Sequence, residues 1–600
     1  MTAVQPPPVT PSAPREHPPT VRFDDMSRRT TTTFTQFLGE IRARTVPEVR
    51  AALEAAERAA LEGHWVGGFI TYDAAPAFDE AFVVAARHDA APLVWFGVFA
   101  QCEVRDYAPP ARLADATWRW TLEVSPEHYE GRVAFLQDCI RRGEVYQVNF
   151  TSRWRSADGV DPAALYDRLL HLQQPAYAAM ITLEDLTVMS ASPELLFDWR
   201  DSTLRSRPMK GTHVRGRFAR EDAAFAEALA TSPKEQAENI MIVDLMRNDL
   251  AKVAELGTVE VVSLLDVERY PQVLQMVSEV RCRTPHDCGF YDVVAALFPG
   301  GSVTGAPKAS EMSLIARTES SARGVYCGAV GSLSRDERGL HARFNVAIRT
   351  ALARGTTCEF GAGGGIVSGS DPRSEYREMV LKARQLEPGA GDFALLETFR
   401  HDPLADADHR DRHLRRLVDS ARRLGFARPS GLDALVEERL GAHPRAARVR
   451  VLLSRAGELR VEIHDLTLGE EPVTLAIDDE AVDSHDPMLF LKTTHREPYR
   501  RRQRRFPGAD DVVMVNERGE CTETTVANLM VRLDGGWFTP ALSSGCLPGI
   551  GRELVLEAGV ARERVISVEE LRRAEGIAVV SSLRGWRRAR LGAGLRDVGG

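Results

Sequence analysis

The stretch SPKEQAENIMIVDLMRNDL, residues 232–250, sets Pro233 directly after Ser232 and Glu235 three residues after it. A serine cap, a proline in the first turn and a glutamate at the third position make a capping box, which predicts a helix running to Leu250. Glu235 and Glu238 then share one face. Farther on, EYREMVLKA (375–383) puts Glu375, Glu378 and Lys382 on one face by the same kind of spacing. Two carboxylate faces can together hold a hard divalent cation such as Mg2+, completed by waters and an anionic substrate. Acidic helix faces are more often simply solvated, and spacing alone does not select the metal.

Glycine supplies the next signal. FPGGSVTGAPK (298–308) and GAGGGIV (361–367) read as turns that expose backbone N–H groups, which suits carboxylate or phosphate oxygens. Neither carries the GK[ST] ending of a nucleotide-phosphate loop or the GxGxxG dinucleotide fingerprint. Two tight structural turns would look the same.

A chain of 600 residues exceeds one hydrophobic core, so at least two domains are expected. The composition, 44% hydrophobic and 27% charged, is that of a globular protein. The net charge of −9 argues against a general nucleic-acid binder. The basic run Arg500-Arg501-Arg502-Gln503-Arg504-Arg505 reads as a solvated helix face. Eight scattered cysteines without a CxxC pair fit a reducing, cytoplasmic setting and give no zinc site. No run of about 18 apolar residues suggests a membrane span. Residues 1–22, rich in proline and threonine and lacking an apolar core, read as a disordered tail rather than a secretory signal. Two blocks follow, 23–386 and 392–600, divided by the Pro/Gly break EPGAG at 387–391. Strand-like runs such as Arg448–Leu453 and Asp511–Val515 alternate with helical ones in each, so both blocks read as α/β or α+β.

The motifs of the first block stand in the order found in chorismate-utilising enzymes, which the block resembles. The matching strings are GEVYQVNFT (143–151), SASPELLF (190–197), SRPMKGT (206–212), AENIMIVDLMRNDL (237–250), FPGGSVTGAPK, YCGAVGSL (326–333), FNVAIRT (344–350), and GAGGGIV followed by EYREMVLKA; GHWVGGFITYD (63–73) extends the match upstream. The resemblance implies an α+β fold of two antiparallel sheets packed face to face with helices outside. It implies Glu194 as the acid that protonates a departing ring hydroxyl. Lys210 becomes the nucleophile, held neutral by burial or neighbouring charge. Glu238 and Glu378 become Mg2+ ligands. Ser302, Thr304, Tyr326, Arg349, Lys382 and the backbone of Gly363, Gly364 and Gly365 become contacts to chorismate. Within this family Lys210 marks the branch that makes 4-amino-4-deoxychorismate, and Gln147 stands where isochorismate and salicylate synthases carry a water-activating lysine. Gln275 departs from a histidine common at its position, which puts proton handling there in question. No cysteine has the setting of a glutaminase nucleophile, so ammonia is expected from a separate glutaminase subunit.

The second block resembles the fold-type IV PLP enzymes through FALLETFR (393–400), HLRRL (413–417), LKTTHREPY (491–499), ECTETTVANLMV (520–531), TPALSSGCLPGIGREL (539–554) and VVSSLRGW (579–586). That resemblance implies an α/β domain with a small subdomain to about Asp486 and a larger one after it, pyridoxal 5'-phosphate between them, and a possible homodimer. Lys492 becomes the cofactor lysine and Glu523 the partner of the pyridine nitrogen. Arg416, the backbone of Ile550 and Gly551, and Ser582 become the phosphate cradle. Gly551 replaces a threonine common in aminotransferases, so one hydroxyl contact is expected to be lost. Fusion to a synthase that makes its substrate favours a lyase for this half. The expected whole is therefore a bifunctional enzyme that takes chorismate to 4-aminobenzoate and pyruvate. The rivals are an anthranilate- or isochorismate-type synthase fused to an aminotransferase, against which Lys210 and Gln147 speak, and a dead scaffold, against which the retained Glu194, Lys210, Glu238, Glu378, Lys492 and Glu523 speak.

Overall fold

The computed structural model describes residues 10–11, 18–86, 91–110, 117–386, 393–402, 408–441, 443–467 and 470–592. Most of the expected tail and the whole expected linker, 387–391, lie outside the described residues. The sheet nevertheless begins inside the expected tail, because Thr20–Asp25 is already a strand. Two compact units emerge: residues 1–108, 113–215 and 225–389 in one, and 109–112, 216–224 and 390–600 in the other.

The first unit is built on eighteen strands whose pairings, all antiparallel, form one connected network. Its interior has a physical cause in the strand pattern. Val21, Phe34, Phe69, Trp95, Phe99, Ile181, Val188, Val330 and Leu352 come from eight different strands and bury together. Sheet faces therefore pack on one another, as expected of a two-sheet fold. Helices cover the outer surfaces. Glu48–Leu61 turns an alanine-rich stripe (Ala52, Ala55, Ala56, Ala59, Ala60) inward. Pro126–Arg141 and Pro162–Gln173 cover another core with Tyr129, Leu136, Leu165 and Leu169.

The decisive helix spans Pro233–Ala251, and the Ser232 hydroxyl accepts from the Glu235 N–H at 3.4 Å. Only half of the expected capping box forms. The Ser232 N–H donates instead to the Leu229 carbonyl at 3.3 Å, which leaves the Glu235 carboxyl free to line a cavity. The second acidic helix spans Pro372–Ala383. GAGGGIV is largely strand rather than turn. Residues Gly361–Ile366 close the strand Thr357–Ile366 and pair residue for residue with Val148–Arg153. The pairing with Thr350–Arg354 stops at Phe360, so beyond it that edge of the glycine run is open.

The second unit holds two sheets. Leu395–His401, Ala447–Leu453 and Leu459–Asp465 form an antiparallel three-stranded sheet. The larger, eight-stranded sheet begins at Val473, before the expected Asp486. It is mixed: Val473–Ile477 lies parallel to both Asp511–Val515 and Gly585–Leu591. The basic run forms the helix Glu497–Arg505 and is mostly solvated, with one exception. Arg502 is buried and paired with Asp478 at 2.7 Å, since a buried guanidinium needs a counter-charge. All eight cysteines are free. Among the described residues no helix is long and apolar enough to cross a membrane.

Candidate active sites

In the first unit a cavity of about 160 Å³ gathers Glu194, Lys210, Ser302, Tyr326, Arg349, Gly363, Gly364, Gly365 and Lys382 with four carboxylates, Glu235, Glu238, Glu375 and Glu378. Strand ends aim the two central groups. Glu194 lies between the strands Thr187–Ser192 and Leu195–Arg200, its N–H bound to Ser192 Oγ at 3.2 Å and its carbonyl accepting from Val346. Burial raises its carboxyl to about 7, against the opposing pull of Ser302, the Met209 N–H and Lys210. Lys210 is held from both sides. Asn239 donates to its carbonyl at 2.9 Å, and its Nζ lies 3.1 Å from Glu238 Oε2.

Gly365 explains how Lys210 and Gln147 meet. A Cβ there would fall 2.4 Å from Lys210 Nζ and 3.0 Å from Gln147 Nε2. A side chain at this position would push these two ends aside. Gln147 is fully buried, and neither atom of its amide has a hydrogen-bond partner. The amide thus lies behind the cavity wall next to the Lys210 amine, with its hydrogen-bonding capacity unspent.

The four carboxylates answer the metal question in part. Burial raises Glu235 and Glu375, and each is raised further by a neighbouring carboxylate, Glu235 chiefly by Glu238 and Glu375 by Glu378. Glu378 is instead lowered by the Lys382 ammonium, 2.7 Å away. The four supply carboxylate oxygens of the kind a hard divalent cation takes, with Glu238 and Glu378 each beside a lysine. Lys382 also donates to the Gly363 carbonyl at 2.8 Å. Arg349 donates to the Lys382 carbonyl at 3.1 Å, and burial pushes its guanidinium down to about 10.

One expectation needs correction, and the Gln275 departure can be placed. Thr304 does not line the cavity: it is fully buried and its hydroxyl is spent on the Gly300 carbonyl at 3.1 Å. Gln275 is pinned at both ends of its amide, donating to the Gly211 carbonyl and accepting from the Thr212 hydroxyl, both at 2.8 Å. It therefore clamps the strand that carries Lys210.

In the second unit a cavity of about 380 Å³ is lined by Lys492, Glu523, Arg416, Ile550, Gly551 and Ser582. Burial and the Arg416 charge hold the Lys492 amine down to about 8. Burial lifts the Glu523 carboxyl to about 8, and Asn528 donates to it at 3.3 Å. Ile550 and Gly551 open the helix Ile550–Glu557, so their N–H groups have no intrahelical partner. With the Ser582 hydroxyl and Arg416 they supply the donors a phosphate needs. A helix N-terminus, a cation, a buried amine and a buried carboxyl together fit PLP in chemistry. Gly551 is glycine for a visible reason. A Cβ would fall 2.7 Å from the Ser581 carbonyl carbon and 2.8 Å from the Ser582 nitrogen, so no threonine fits.

Two residues went unnoticed in the sequence. Glu397 forms a fork with Arg416 at 2.7 and 2.8 Å and meets His413 Nδ1 at 2.5 Å, while His413 Nε2 reaches Ser582 Oγ at 2.8 Å. Arg416 also donates to the Pro548 carbonyl at 2.7 Å. The i, i+3 spacing of His413 and Arg416 on one helix was the available signal.

The two units thus define a chorismate-type cavity and a cofactor-type cavity on one chain. Residues 16–388 match the profile of the chorismate binding enzymes, and the chain belongs to that family. Residues 396–591 match the class IV amino-transferases, a family whose fold implies PLP. A probable chloroplastic aminodeoxychorismate synthase from Oryza sativa subsp. japonica is 42% identical over 271 residues, 44% of this chain and 30% of the relative. Aminodeoxychorismate synthase component 1 of Klebsiella aerogenes is 37% identical over 279 residues, 46% of this chain and 61% of that one. The crystal structure of anthranilate synthase component I from Streptococcus pneumoniae superposes with a TM-score of 0.54 at 25% identity, over 60% of this chain and 92% of that one. The chain thus spans 30% and 61% of the length of these two curated relatives.

Proposed function

We propose that this chain makes 4-aminobenzoate in two steps, with residues 23–386 aminating chorismate to 4-amino-4-deoxychorismate and residues 392–600 cleaving that product to 4-aminobenzoate and pyruvate. The observation that carries the reading is the placement of Lys210 and Glu194 in one cavity, with the buried Gln147 amide meeting the Lys210 amine behind Gly365. A nucleophilic lysine and a neutral amide beside one buried acid suit displacement of a ring hydroxyl by nitrogen rather than by water.

In the first step Glu194 donates its proton to the departing C4 hydroxyl while the Lys210 amine forms a bond at C2. Ammonia then bonds to C4, and the C2–Lys210 bond breaks as the ring double bonds return. Glu238 and Glu378 would hold Mg2+, which supplies positive charge to the ring carboxylate. Arg349, Lys382, Tyr326, Ser302 and the Gly363–Gly365 backbone orient the substrate. In the second step Arg416, Ser582 and the Ile550 and Gly551 amides would hold the PLP phosphate, and Glu523 the pyridine nitrogen. PLP when bound supplies an electron sink. Lys492 takes the ring proton and returns one to the enolpyruvyl carbon as pyruvate departs and the ring becomes aromatic. Glutaminase supply of ammonia by a separate subunit, pairing of two copies through the second unit and a cytoplasmic setting belong to the same proposal; the "component 1" in the name of the Klebsiella relative supports the first.

Incubation with chorismate, Mg2+, ammonium and PLP, followed by liquid chromatography, tests the whole reading. 4-Aminobenzoate and pyruvate are the expected products, whereas anthranilate, isochorismate or untouched chorismate would overturn it. Glu194 adds a pH signature. Its carboxyl is raised to about 7, so the proton it must give is present below that pH and lost above it. The synthase rate should be level below pH ~6 and fall about tenfold per unit above pH ~8. Glu194→Gln should abolish that limb and lower the rate by roughly 10²- to 10⁴-fold.

A further inference from the structure

The cofactor cavity carries more positive charge than a phosphate requires. Six arginines line it, Arg416, Arg448, Arg450, Arg496, Arg584 and Arg587, and Glu523 is the one carboxylate among its lining residues. Three of the six are accounted for. Arg416 pairs with Glu397, Arg450 pairs with Glu462 at 3.1 Å, and Arg496 donates to the Thr525 carbonyl and lies 4.0 Å over the Tyr499 ring.

Arg448, Arg584 and Arg587 are different. Among the described residues no carboxylate comes within 4.0 Å of any of them. Arg448 lies on Ala447–Leu453, where alternation buries Ala447, Val449 and Val451 and turns Arg448 and Arg450 to the other face. Its Nε is buried with no hydrogen-bond partner. Arg584 and Arg587 come from the tight hairpin joining Gly576–Ser581 to Gly585–Leu591. Arg584 Nε reaches the Thr467 carbonyl at 3.3 Å, a neutral acceptor. Burial, then repulsion from Arg587 and Arg448, pushes the Arg584 guanidinium below its ordinary value, and Asp511 only partly offsets this. Three half-buried guanidiniums lining one cavity, with no carboxylate within 4.0 Å among the described residues, carry a standing electrostatic cost. An anion that enters from solvent removes it.

We propose that Arg448, Arg584 and Arg587 form a second anion subsite in this cavity, apart from the phosphate cradle, which receives the carboxylates of a dicarboxylate ring amine. The assignment rests on the lyase reading of this half. In 4-amino-4-deoxychorismate the amine sits at one end of the ring. One carboxylate lies at the opposite end and a second on the enolpyruvyl ether. Planar guanidiniums match both bidentately. A monocarboxylate amino acid would leave the cluster partly unpaired, so the cluster selects a dianion over the substrates of an ordinary aminotransferase.

Two measurements on the PLP-loaded full chain test this. The first titrates isophthalate and benzoate and reads the shift of the cofactor's visible absorbance, which reports on this cavity alone. Isophthalate should bind roughly tenfold or more tightly than benzoate, and the Arg584→Gln/Arg587→Gln double variant and Arg448→Gln should each erase most of that ratio. The Arg584→Lys/Arg587→Lys double variant should keep part of it. The second supplies 4-amino-4-deoxychorismate directly. The glutamine variants should raise KM about tenfold or more with kcat within about threefold and unchanged cofactor content. An isophthalate preference that survives all the glutamine variants, with PLP still bound, would overturn the subsite. A wild-type chain that prefers isophthalate in this way yet leaves 4-amino-4-deoxychorismate uncleaved would sink the lyase reading and keep the subsite.

Discussion

Lys492→Ala should release 4-amino-4-deoxychorismate in place of 4-aminobenzoate, with the rate of the second step down by on the order of 10⁴-fold. That loss corresponds to about 5.4 kcal/mol of barrier. The size follows from the environment of the amine. Lys492 is buried against Arg416, which holds its amine down to about 8, so a proton acceptor is available near neutral pH. Among the described residues no other lysine lines the cavity. Liquid chromatography after feeding chorismate, Mg2+, ammonium and PLP should show the intermediate accumulating while chorismate disappears at an unchanged rate. The visible absorbance band of the lysine-bound cofactor should vanish in the same variant. 4-Aminobenzoate at the wild-type rate would remove Lys492 from the mechanism.

The second large effect is expected at Lys210. Lys210→Ala should leave chorismate unconsumed, with formation of 4-amino-4-deoxychorismate reduced by roughly 10³-fold or more. The amine sits 3.1 Å from Glu238 and beside Gln147, and the alanine variant removes the group proposed to form the first bond to the ring. Glu238 would also lose the amine 3.1 Å from it, so a modest change in Mg2+ affinity should accompany the loss. The variant should still cleave supplied 4-amino-4-deoxychorismate at the wild-type rate. Retained amination, or a switch to anthranilate with full turnover, would show that Lys210 is no nucleophile and that the first unit works as an anthranilate-type enzyme.

Much of this was legible in the chain before it folded. Ser232 and Pro233 do start the helix they predict, and the strands expected at Arg448–Leu453 and Asp511–Val515 form within a residue of their expected ends. These signals are local: caps and alternation act within a few residues. Motif order was enough to name the central groups of each cavity, though it wrongly added Thr304 and missed His413 and the extra arginines of the second.

What failed to read was set by partners distant in sequence. Glu235 looked like half of a capping box, but the Ser232 N–H found the Leu229 carbonyl instead. The glycine run at 361–366 looked like a turn. It became strand because Val148–Arg153 offered it a complete ladder, and its missing side chains leave room for Lys210 and Gln147. Thr304 looked like a ligand contact until the chain turned its hydroxyl back to Gly300. Gln275 looked like a proton-handling departure, yet the cross-strand neighbours Gly211 and Thr212 make it a clamp. The Glu397–His413–Ser582 relay joins residues 16 and 169 positions apart, a separation no motif spans.

By itself, then, the sequence determined which chemical groups this protein possesses, where its helices and strands start, and which family its motifs belong to, because those properties depend on residue type and on neighbours a few positions away. The tertiary structure alone decided which groups are desolvated and which face one another. Burial places the Glu194 carboxyl near 7, the Glu523 carboxyl near 8 and the Lys492 amine near 8, and burial is a property of the packed core rather than of any stretch of chain.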